Sequence, residues 1–96
     1  MLADMDMKIN AARSMLWNAC KSAAAGIVNK KLVAEVKCFA TDVCMEVTTN
    51  AVQVLGGNGY TKEYPVEKLM RDAKILQIFE GTNQIQRTII ARSLLK

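Results

Sequence analysis

The segment Ile78–Arg87 places one carboxylate, Glu80, inside an apolar run and directly before a glycine and a hydroxyl residue. Apolar neighbours disfavour the charged form of a carboxylate and raise its pKa. A carboxylate tuned in this way is suited to abstracting a proton near neutral pH. Because the chain contains no histidine, a general base has to be a carboxylate, a lysine, a tyrosine or a thiolate. The pattern therefore makes Glu80 a candidate base, with a solvated residue at a helix end as the alternative.

Two further polar segments could bind a ligand. The glycines of Gly56–Gly59 could offer backbone N–H groups to the phosphates or ribose of a dinucleotide. Their spacing differs from the GxGxxG fingerprint, however, and the loop follows a predicted helix rather than a strand. Thr82 and Gln84 stand at a predicted helix start, where a hydroxyl, an amide and free N–H groups suit a polar or anionic ligand. The alternatives are a helix C-cap for the glycine loop, a plain turn for Gly81 and an N-cap for Thr82.

The composition excludes several classes of site. Cys20, Cys38 and Cys44 are odd in number and form no CxxC pair, so neither a disulfide framework nor a zinc site is expected, and free buried thiols are predicted. No other metal site is expected. The net charge of +4 is spread along the chain without interleaved aromatic residues, which gives little support to nucleic-acid binding.

The length and the apolar content indicate one small domain that meets other protein. Ninety-six residues suffice for one domain, and the apolar fraction of 51% is high for a chain that can bury only a limited share of its surface. No run of 18 apolar residues exists, so no membrane span is predicted. The N-terminus carries acids where a signal peptide needs basic residues, and we therefore expect a cytosolic or comparable compartment.

The apolar periodicity predicts an all-α chain of four helices, two long and two short, packed as an antiparallel bundle. Gly26 and Asn29 are expected to close the first helix, and Gly56 to stop the second. Glu80 and Gly81 form a short break before the last. The predicted helices are Leu2 to about Ile27, Leu32 to about Leu55, Pro65 to about Ile78, and Thr82 or Asn83 onward, with Gly56 to Tyr64 as the longest loop.

Three motifs in this order resemble the C-terminal helical domain of the acyl-CoA dehydrogenases, most of all the short- and medium-chain, butyryl-CoA dehydrogenase-like branch. They are QVLGGNGY at Gln53–Tyr60, EYPVEKLMRDAK at Glu63–Lys74 and IFEGT at Ile78–Thr82. The likeness runs from about Leu2 to Lys96. Because the chain starts inside a helical pattern without a clear N-cap, we expect residues 1–96 to be a partial C-terminal domain, a fragment lacking its N-terminal part.

The resemblance implies FAD-dependent oxidation of a short- or medium-chain acyl-CoA to the trans-2-enoyl-CoA. Glu80 would abstract the α-proton, its own backbone N–H would hold the thioester oxygen, and Gly81 would lie beside the substrate. Two sets of residues would contact FAD. The first set would contact the flavin of a neighbouring subunit and consists of Gln53, Val54, Leu55, Gly56 and Gly57. The second set consists of Thr82 and Gln84.

The resemblance also implies the partners of the full-length enzyme: acyl-CoA, an electron-transfer flavoprotein and further copies in a homo-oligomer, located in the bacterial cytoplasm or the mitochondrial matrix. Phe79 stands where many relatives have tyrosine, which predicts a small effect on substrate preference. Arg71 and Asp72 are expected to be structural, pairing with Glu67 or with the domains that the resemblance places outside this chain. The alternative function is a non-catalytic helical bundle or oligomerisation module, and the isolated chain is predicted to be inactive.

Overall fold

The computed structural model describes all residues from Met1 to Lys96. It contains no strand, so the prediction of an all-α chain with two long and two short helices is confirmed. A short 3₁₀ helix, Gly56–Tyr60, occupies part of the segment that was predicted as a loop. The α-helices are α1, Leu2–Ala24; α2, Lys30–Leu55; α3, Val66–Ile78; and α4, Asn83–Leu94.

Side-chain caps set the starts of two helices. The Asn29 Oδ1 accepts a hydrogen bond from the Leu32 N–H at 3.1 Å, and the Thr82 Oγ1 accepts one from the Ile85 N–H at 3.2 Å. Both caps satisfy N–H groups that have no acceptor inside their helix. The prediction that Asn29 closes α1 is therefore wrong, because Asn29 begins α2. Helix α1 ends at Ala24, before the left-handed Gly26 at φ 83°.

Helix α2 is the centre of the structure, and α1, α3 and α4 each pack mainly against it. This arrangement gives an elongated molecule of 48 × 23 × 21 Å with a radius of gyration of 15.4 Å. A compact chain of this length would have a radius of gyration of about 12–13 Å. The core is correspondingly thin: nine of the 96 residues are buried, and no large side chain is fully buried.

Much of the apolar surface is exposed to solvent. The solvent-accessible area is 6764 Å², whereas a folded monomer of this mass exposes about 5,500 Å². Large apolar side chains such as Trp17, Ile27 and Leu69 are at least half exposed. No helix combines the length and the apolarity that crossing a membrane requires.

The three cysteines are free, but they differ in exposure. Cys38 is buried, Cys44 is half-buried and Cys20 is exposed. The prediction of buried thiols is thus wrong for Cys20, because the groove between α1 and α2 that it lines is open to solvent.

Candidate active site

The break between α3 and α4 holds Glu80 in an uncommon backbone conformation. Glu80 has φ 54° and is the only non-glycine residue with a positive φ, and Gly81 follows at φ 85°. An L-residue in this region is strained by about 1–3 kcal/mol and persists only where the surroundings determine it. The Glu80 side chain is exposed, and the N–H groups of Glu80 and Gly81 donate to no acceptor in the chain. The turn therefore carries an accessible carboxylate together with unpartnered backbone donors.

Within the 96 residues, no apolar wall encloses this carboxylate. Ile78 and Phe79, which precede Glu80, are 50% and 45% exposed. The apolar surroundings that the sequence suggests for Glu80 would therefore have to come from protein or ligand outside these residues.

Two side chains hold the backbone carbonyls of the turn. The Lys37 Nζ, from the middle of α2, donates to the Gly81 carbonyl at 2.8 Å and to the Asn83 Oδ1 at 2.7 Å. The Nε2 of the buried Gln86 donates to the carbonyls of Glu80 at 3.2 Å and Gly81 at 3.4 Å. A Cβ atom on residue 81 would lie 2.8 Å from this Nε2. The positive φ therefore favours glycine at this position, and a side chain here would also displace the Gln86 amide.

Asn83 fixes the start of α4 on α2. Its side chain is among the most buried in the chain, with a residue exposure of 2%. The Nδ2 donates to the Cys38 carbonyl at 3.3 Å, to the Thr41 Oγ1 at 2.8 Å and to the Asp42 Oδ1 at 2.7 Å. Because buried polar groups are costly unless they are hydrogen-bonded, this set of contacts accounts for a buried amide in so thin a core.

Asp42 joins three helices through its carboxylate. Besides Asn83, it accepts hydrogen bonds from the Gln77 Nε2 at 2.8 Å and from the Arg87 Nη2 at 2.5 Å. Burial alone would raise the pKa of Asp42, but the hydrogen bonds from Arg87, Asn83 and Gln77 outweigh burial and lower the pKa. Asp42 is therefore ionised at neutral pH and acts as an anchor between α2, α3 and α4.

The neighbouring thiol is not a candidate nucleophile or base. Burial is the main cause that raises the pKa of Cys38, and the charge of Asp42 adds to it, against the opposing charges of Arg87 and Lys37. Cys38 consequently remains a protonated thiol at neutral pH. Its Sγ lies 3.7 Å from the Asn83 carbonyl, inside the packed junction of α2 and α4.

A polar pocket of about 190 Å³ lies next to the turn. Thr82 and Gln84, both proposed from the sequence, line it. The Thr82 hydroxyl also caps α4, so its alternative role as an N-cap is confirmed. The other residues that line the pocket are Asp42, Lys74, Gln77, Ile78, Asn83 and Arg87. The structure thus brings Glu80, Gly81, Thr82 and Gln84 together at one place.

The segment Gln53–Gly57 lies elsewhere, at the C-terminal end of α2 and the start of the 3₁₀ helix. Lys37 is the residue of α2 whose side chain contacts the turn. Gln53 follows it on the same helix, about 24 Å farther along at a rise of about 1.5 Å per residue. All five residues are exposed. Gly56 has φ 65°, and a Cβ atom built on Gly56 or Gly57 would meet nothing within 4 Å. The two predicted sets therefore do not form one pocket within a single chain.

Sequence reasoning missed the polar residues that support the turn, because most of them have partners 35–46 residues away along the chain; Gln86, whose partners are five and six residues away, is the exception. No local pattern indicated them: Lys37, for example, lies beside the apolar stripe of Val36 and Val43 on α2, where a polar residue is ordinary. The missed residues are Lys37, Asp42, Gln77, Asn83, Gln86 and Arg87.

The predicted pairing of Arg71 is confirmed. The Arg71 Nε lies 2.7 Å from the Glu67 Oε2, and the Nη2 lies 3.2 Å from the Oε1. Asp72 pairs with Lys68 at 2.8 Å. Both pairs lie on the surface of α3, as expected for residues with a structural role.

Comparison with known proteins agrees with these features. Residues 1–95 match the family model described as acyl-CoA dehydrogenase, C-terminal domain. The chain is 58% identical over 97 residues to the probable acyl-CoA dehydrogenase FadE25 of Mycobacterium tuberculosis. It is 46% identical over 96 residues to the short-chain specific acyl-CoA dehydrogenase of Clostridium acetobutylicum. Each alignment covers 100% of this chain and 25% of the relative.

Solved structures give the same result. The butyryl-CoA dehydrogenase from Megasphaera elsdenii superimposes with a TM-score of 0.96 and 48% identity, over 99% of this chain and 25% of that one. A chain in a structure of the electron transferring flavoprotein of Acidaminococcus fermentans has a TM-score of 0.97 and 52% identity, over 100% and 25%. The chain spans about a quarter of the length of the curated relatives it matches. By motif, fold and similarity, the chain belongs to the acyl-CoA dehydrogenase family and corresponds to its C-terminal domain.

Proposed function

We propose that residues 1–96 are part of the C-terminal α-helical domain of an FAD-dependent acyl-CoA dehydrogenase that oxidises a short- or medium-chain acyl-CoA to the trans-2-enoyl-CoA. The observation that carries this proposal is the left-handed conformation of Glu80 at φ 54°. Glycine would adopt this conformation without strain. A strained residue held by its surroundings is a candidate for function, and here that residue carries a carboxylate.

In this proposal, Glu80 removes the α-proton of the thioester. Such a proton is only weakly acidic, so the base has to be close, well aimed and poorly hydrated. The Glu80 N–H, which has no partner in the chain, donates to the thioester oxygen and stabilises the enolate-like charge that develops as the proton leaves. Gly81 leaves room for the substrate beside the turn. The carboxylate and the donor thus belong to one residue, and its φ sets their relative orientation.

The residues proposed to contact FAD offer two kinds of surface. Gln53, Val54, Leu55, Gly56 and Gly57 form an open, glycine-containing surface, whereas Thr82 and Gln84 line the polar pocket of about 190 Å³. FAD, when bound, supplies the acceptor for the hydride that leaves the β-carbon. The distance of about 24 Å along α2 between the two sets supports contacts with the flavins of two subunits in a homo-oligomer.

Acyl-CoA as substrate and an electron-transfer flavoprotein as electron acceptor complete the proposal. The similarity to a chain in a structure of an electron transferring flavoprotein supports the second partner. The open apolar surface supports assembly with further protein. The similar proteins named above are bacterial, which supports a cytoplasmic location; in a eukaryote the mitochondrial matrix would take its place.

A hybrid enzyme tests the role of Glu80. In it, residues 1–96 replace the matching C-terminal quarter of the short-chain specific acyl-CoA dehydrogenase of Clostridium acetobutylicum. We expect the hybrid enzyme to bind FAD and butyryl-CoA to bleach its flavin. Glu80→Gln keeps the backbone N–H but cannot accept the proton, so bleaching should slow by at least about 10²–10⁴-fold, with flavin content unchanged.

Glu63→Gln is the matched control, because Glu63 is exposed and its side chain forms no hydrogen bond. It should bleach at the rate of the unsubstituted hybrid enzyme. Bleaching of Glu80→Gln at that same rate would show that Glu80 is not the base, and a hybrid enzyme that retains no FAD would contradict the assignment of these residues to such an enzyme.

The isolated chain is expected not to oxidise butyryl-CoA, even with added FAD and a dye acceptor. Its Glu80 lies in solvent, and the two sets of proposed flavin contacts lie far apart on one chain. Turnover above the rate of a Glu80→Gln chain in the same assay would contradict this expectation.

A further inference from the structure

The backbone alone does not secure the turn at Glu80. The last backbone hydrogen bond of α3 runs from the Phe79 N–H to the Ile75 carbonyl, and α4 begins with the bond from the Gln86 N–H to the Thr82 carbonyl. Between them, the carbonyls of Glu80 and Gly81 accept hydrogen bonds only from side chains. The strained conformation of Glu80 therefore depends on the residues that supply those donors.

We propose that Lys37 is a positioning residue for Glu80: its ammonium group holds the Gly81 carbonyl and so keeps Glu80 in the left-handed conformation that aims the carboxylate. The inference rests on the proposed function of Glu80 as the base. Lys37 has no direct hydrogen bond with Glu80, so it would act through the backbone of the turn and not on the substrate.

Lys37 differs from the other donor in where it comes from. Gln86 belongs to α4, so it moves together with the segment that it contacts. Lys37 comes from α2, 44 residues away in sequence, and ties the turn to the central helix. Its bond to the Gly81 carbonyl is 2.8 Å long, against 3.2 and 3.4 Å for the bonds from Gln86. A charged donor also makes a stronger hydrogen bond than a neutral amide does.

The ammonium group of Lys37 is itself held in place. It forms no ion pair with a carboxylate, and its two hydrogen-bond acceptors are the neutral oxygens of Gly81 and Asn83. Asn83 is buried and fixed by Cys38, Thr41 and Asp42. The Lys37 side chain also lines the apolar groove between α1 and α2, which suits its methylene stem. Lys37 is thus a half-buried cation whose ammonium group is hydrogen-bonded to the turn and to the start of α4.

Loss of this bond has a defined consequence. Without Lys37, one of the two donors to the Gly81 carbonyl is gone, and the remaining donor moves with α4. Glu80 can then relax from the left-handed region, which changes the direction of both its carboxylate and its N–H. A misplacement of about 1 Å in a catalytic group can cost about 10²-fold in rate.

The test uses the hybrid enzyme with butyryl-CoA. We expect Lys37→Met to slow flavin bleaching by about 10- to 100-fold, while the flavin content and the butyryl-CoA concentration for half-maximal rate stay unchanged. Lys37→Arg retains a charged donor and should restore most of the rate. Lys31→Met is the matched control on the same helix, because the Lys31 side chain forms no hydrogen bond, and it should match the unsubstituted enzyme.

Nuclear magnetic resonance of the 96-residue chain gives a second readout that does not depend on catalysis. The one-bond Cα–Hα coupling of Glu80 distinguishes positive from negative φ. It should report a positive φ in the unsubstituted chain, Lys37→Arg and Lys31→Met, and a shift toward negative φ in Lys37→Met.

The outcomes separate the two proposals. If Lys37→Met bleaches at the unsubstituted rate while Glu80→Gln does not, or if the Glu80 coupling is the same with and without Lys37, the inference about Lys37 is overturned and Glu80 remains the base. If Glu80→Gln bleaches at the unsubstituted rate, the proposed function itself is overturned. Should Lys37→Met not fold, Lys37→Gln, a shorter polar side chain, takes its place, and an unsubstituted rate for that variant overturns the inference equally.

Discussion

The contact of α1 with α2 and the junction of α4 with α2 are built by different forces. Apolar side chains make most of the first contact, which leaves two grooves of about 340 and 460 Å³ and carries the exposed ion pair of Lys8 and Glu46. The second contains two buried polar side chains, Asn83 and Gln86, and the carboxylate of Asp42, which accepts hydrogen bonds from Asn83 and Arg87 of α4. Both use the same helix, so the difference lies in the residues that face it.

This difference shows where the chain fixes geometry. Apolar attraction has no preferred direction and tolerates grooves, whereas a hydrogen bond weakens steeply when its angle or length departs from the optimum. The junction of α4 therefore holds one arrangement, and the turn that carries Glu80 is attached to it. The contact of α1 with α2 buries apolar surface but fixes the relative position of the two helices less tightly. Its grooves are open for other protein to fill.

The largest expected effect breaks the polar junction. Asn83→Ala removes one of the two acceptors of Lys37 and one of the donors to Asp42, and no other protein group takes the place of either. We expect the free energy of unfolding to fall by about 3 kcal/mol. Asn50→Ala is the matched control on α2, because the Asn50 side chain forms no hydrogen bond, and it should change stability little. Urea unfolding of both variants measures this, and equal stabilities would mean that the polar junction contributes no more than an ordinary surface residue.

A second substitution separates strain from crowding. Gly81→Ala places a Cβ atom 2.8 Å from the Gln86 Nε2 at φ 85°, whereas Gly26→Ala at φ 83° meets no atom within 4 Å. Both substitutions should lower the free energy of unfolding by about 1–2 kcal/mol, because alanine is strained in the left-handed conformation. Gly81→Ala should lower it by about 1 kcal/mol more, because Gln86 must move. Thermal unfolding compares the two. An equal loss would show that Gln86 yields freely and does not constrain the turn.

A third prediction concerns the stability of the chain at low pH. The pKa of Asp42 in the folded chain is lowered from its ordinary value of 3.8. Its contribution to stability is therefore fully present above that value and is lost as the pH falls from there through the lower folded pKa. Between about pH 5 and about pH 2, the unsubstituted chain should lose stability more steeply than Asp42→Asn. Urea midpoints across this range measure the slopes, and parallel slopes would exclude Asp42 as the acid-sensitive anchor.

The smallest effect is expected at the contact of α1. Lys8 and Glu46 are both roughly half exposed, so replacing Lys8 by methionine should cost at most about 1 kcal/mol. The cost should shrink further in 0.5 M salt, because exposed pairs are screened. A loss comparable to that of Asn83→Ala would remove the contrast between the two contacts.

Local patterns accounted for most of the fold. Periodic apolar residues predicted all four helices, and Gly81 marked the break between the last two. Asn29 was assigned to the wrong helix, because an asparagine can either end one helix or cap the next, and only its hydrogen bond with Leu32 decides between them. The 3₁₀ helix at Gly56–Tyr60 was also missed, since a glycine-rich segment has weak preferences of its own.

The candidate site was less predictable than the fold. Glu80, Gly81, Thr82 and Gln84 are neighbours in sequence, so a motif could place them together. The bond from Lys37 to Gly81 joins residues 44 positions apart, and no local pattern encodes such a contact. Nor could the sequence show that Glu80 has a positive φ, because glutamate has no preference for that region.

The conformation at position 80 also restricts how this domain could be stabilised. Glycine would relieve the strain there, and exchanging a strained residue for a compatible one is a common route to higher stability. Glycine has no carboxylate, however. Aspartate and asparagine tolerate the left-handed region better than most residues, but aspartate is one methylene shorter and asparagine cannot accept a proton. An engineering campaign that ranks substitutions by folding stability alone would therefore select against the residue to which we assign the chemistry.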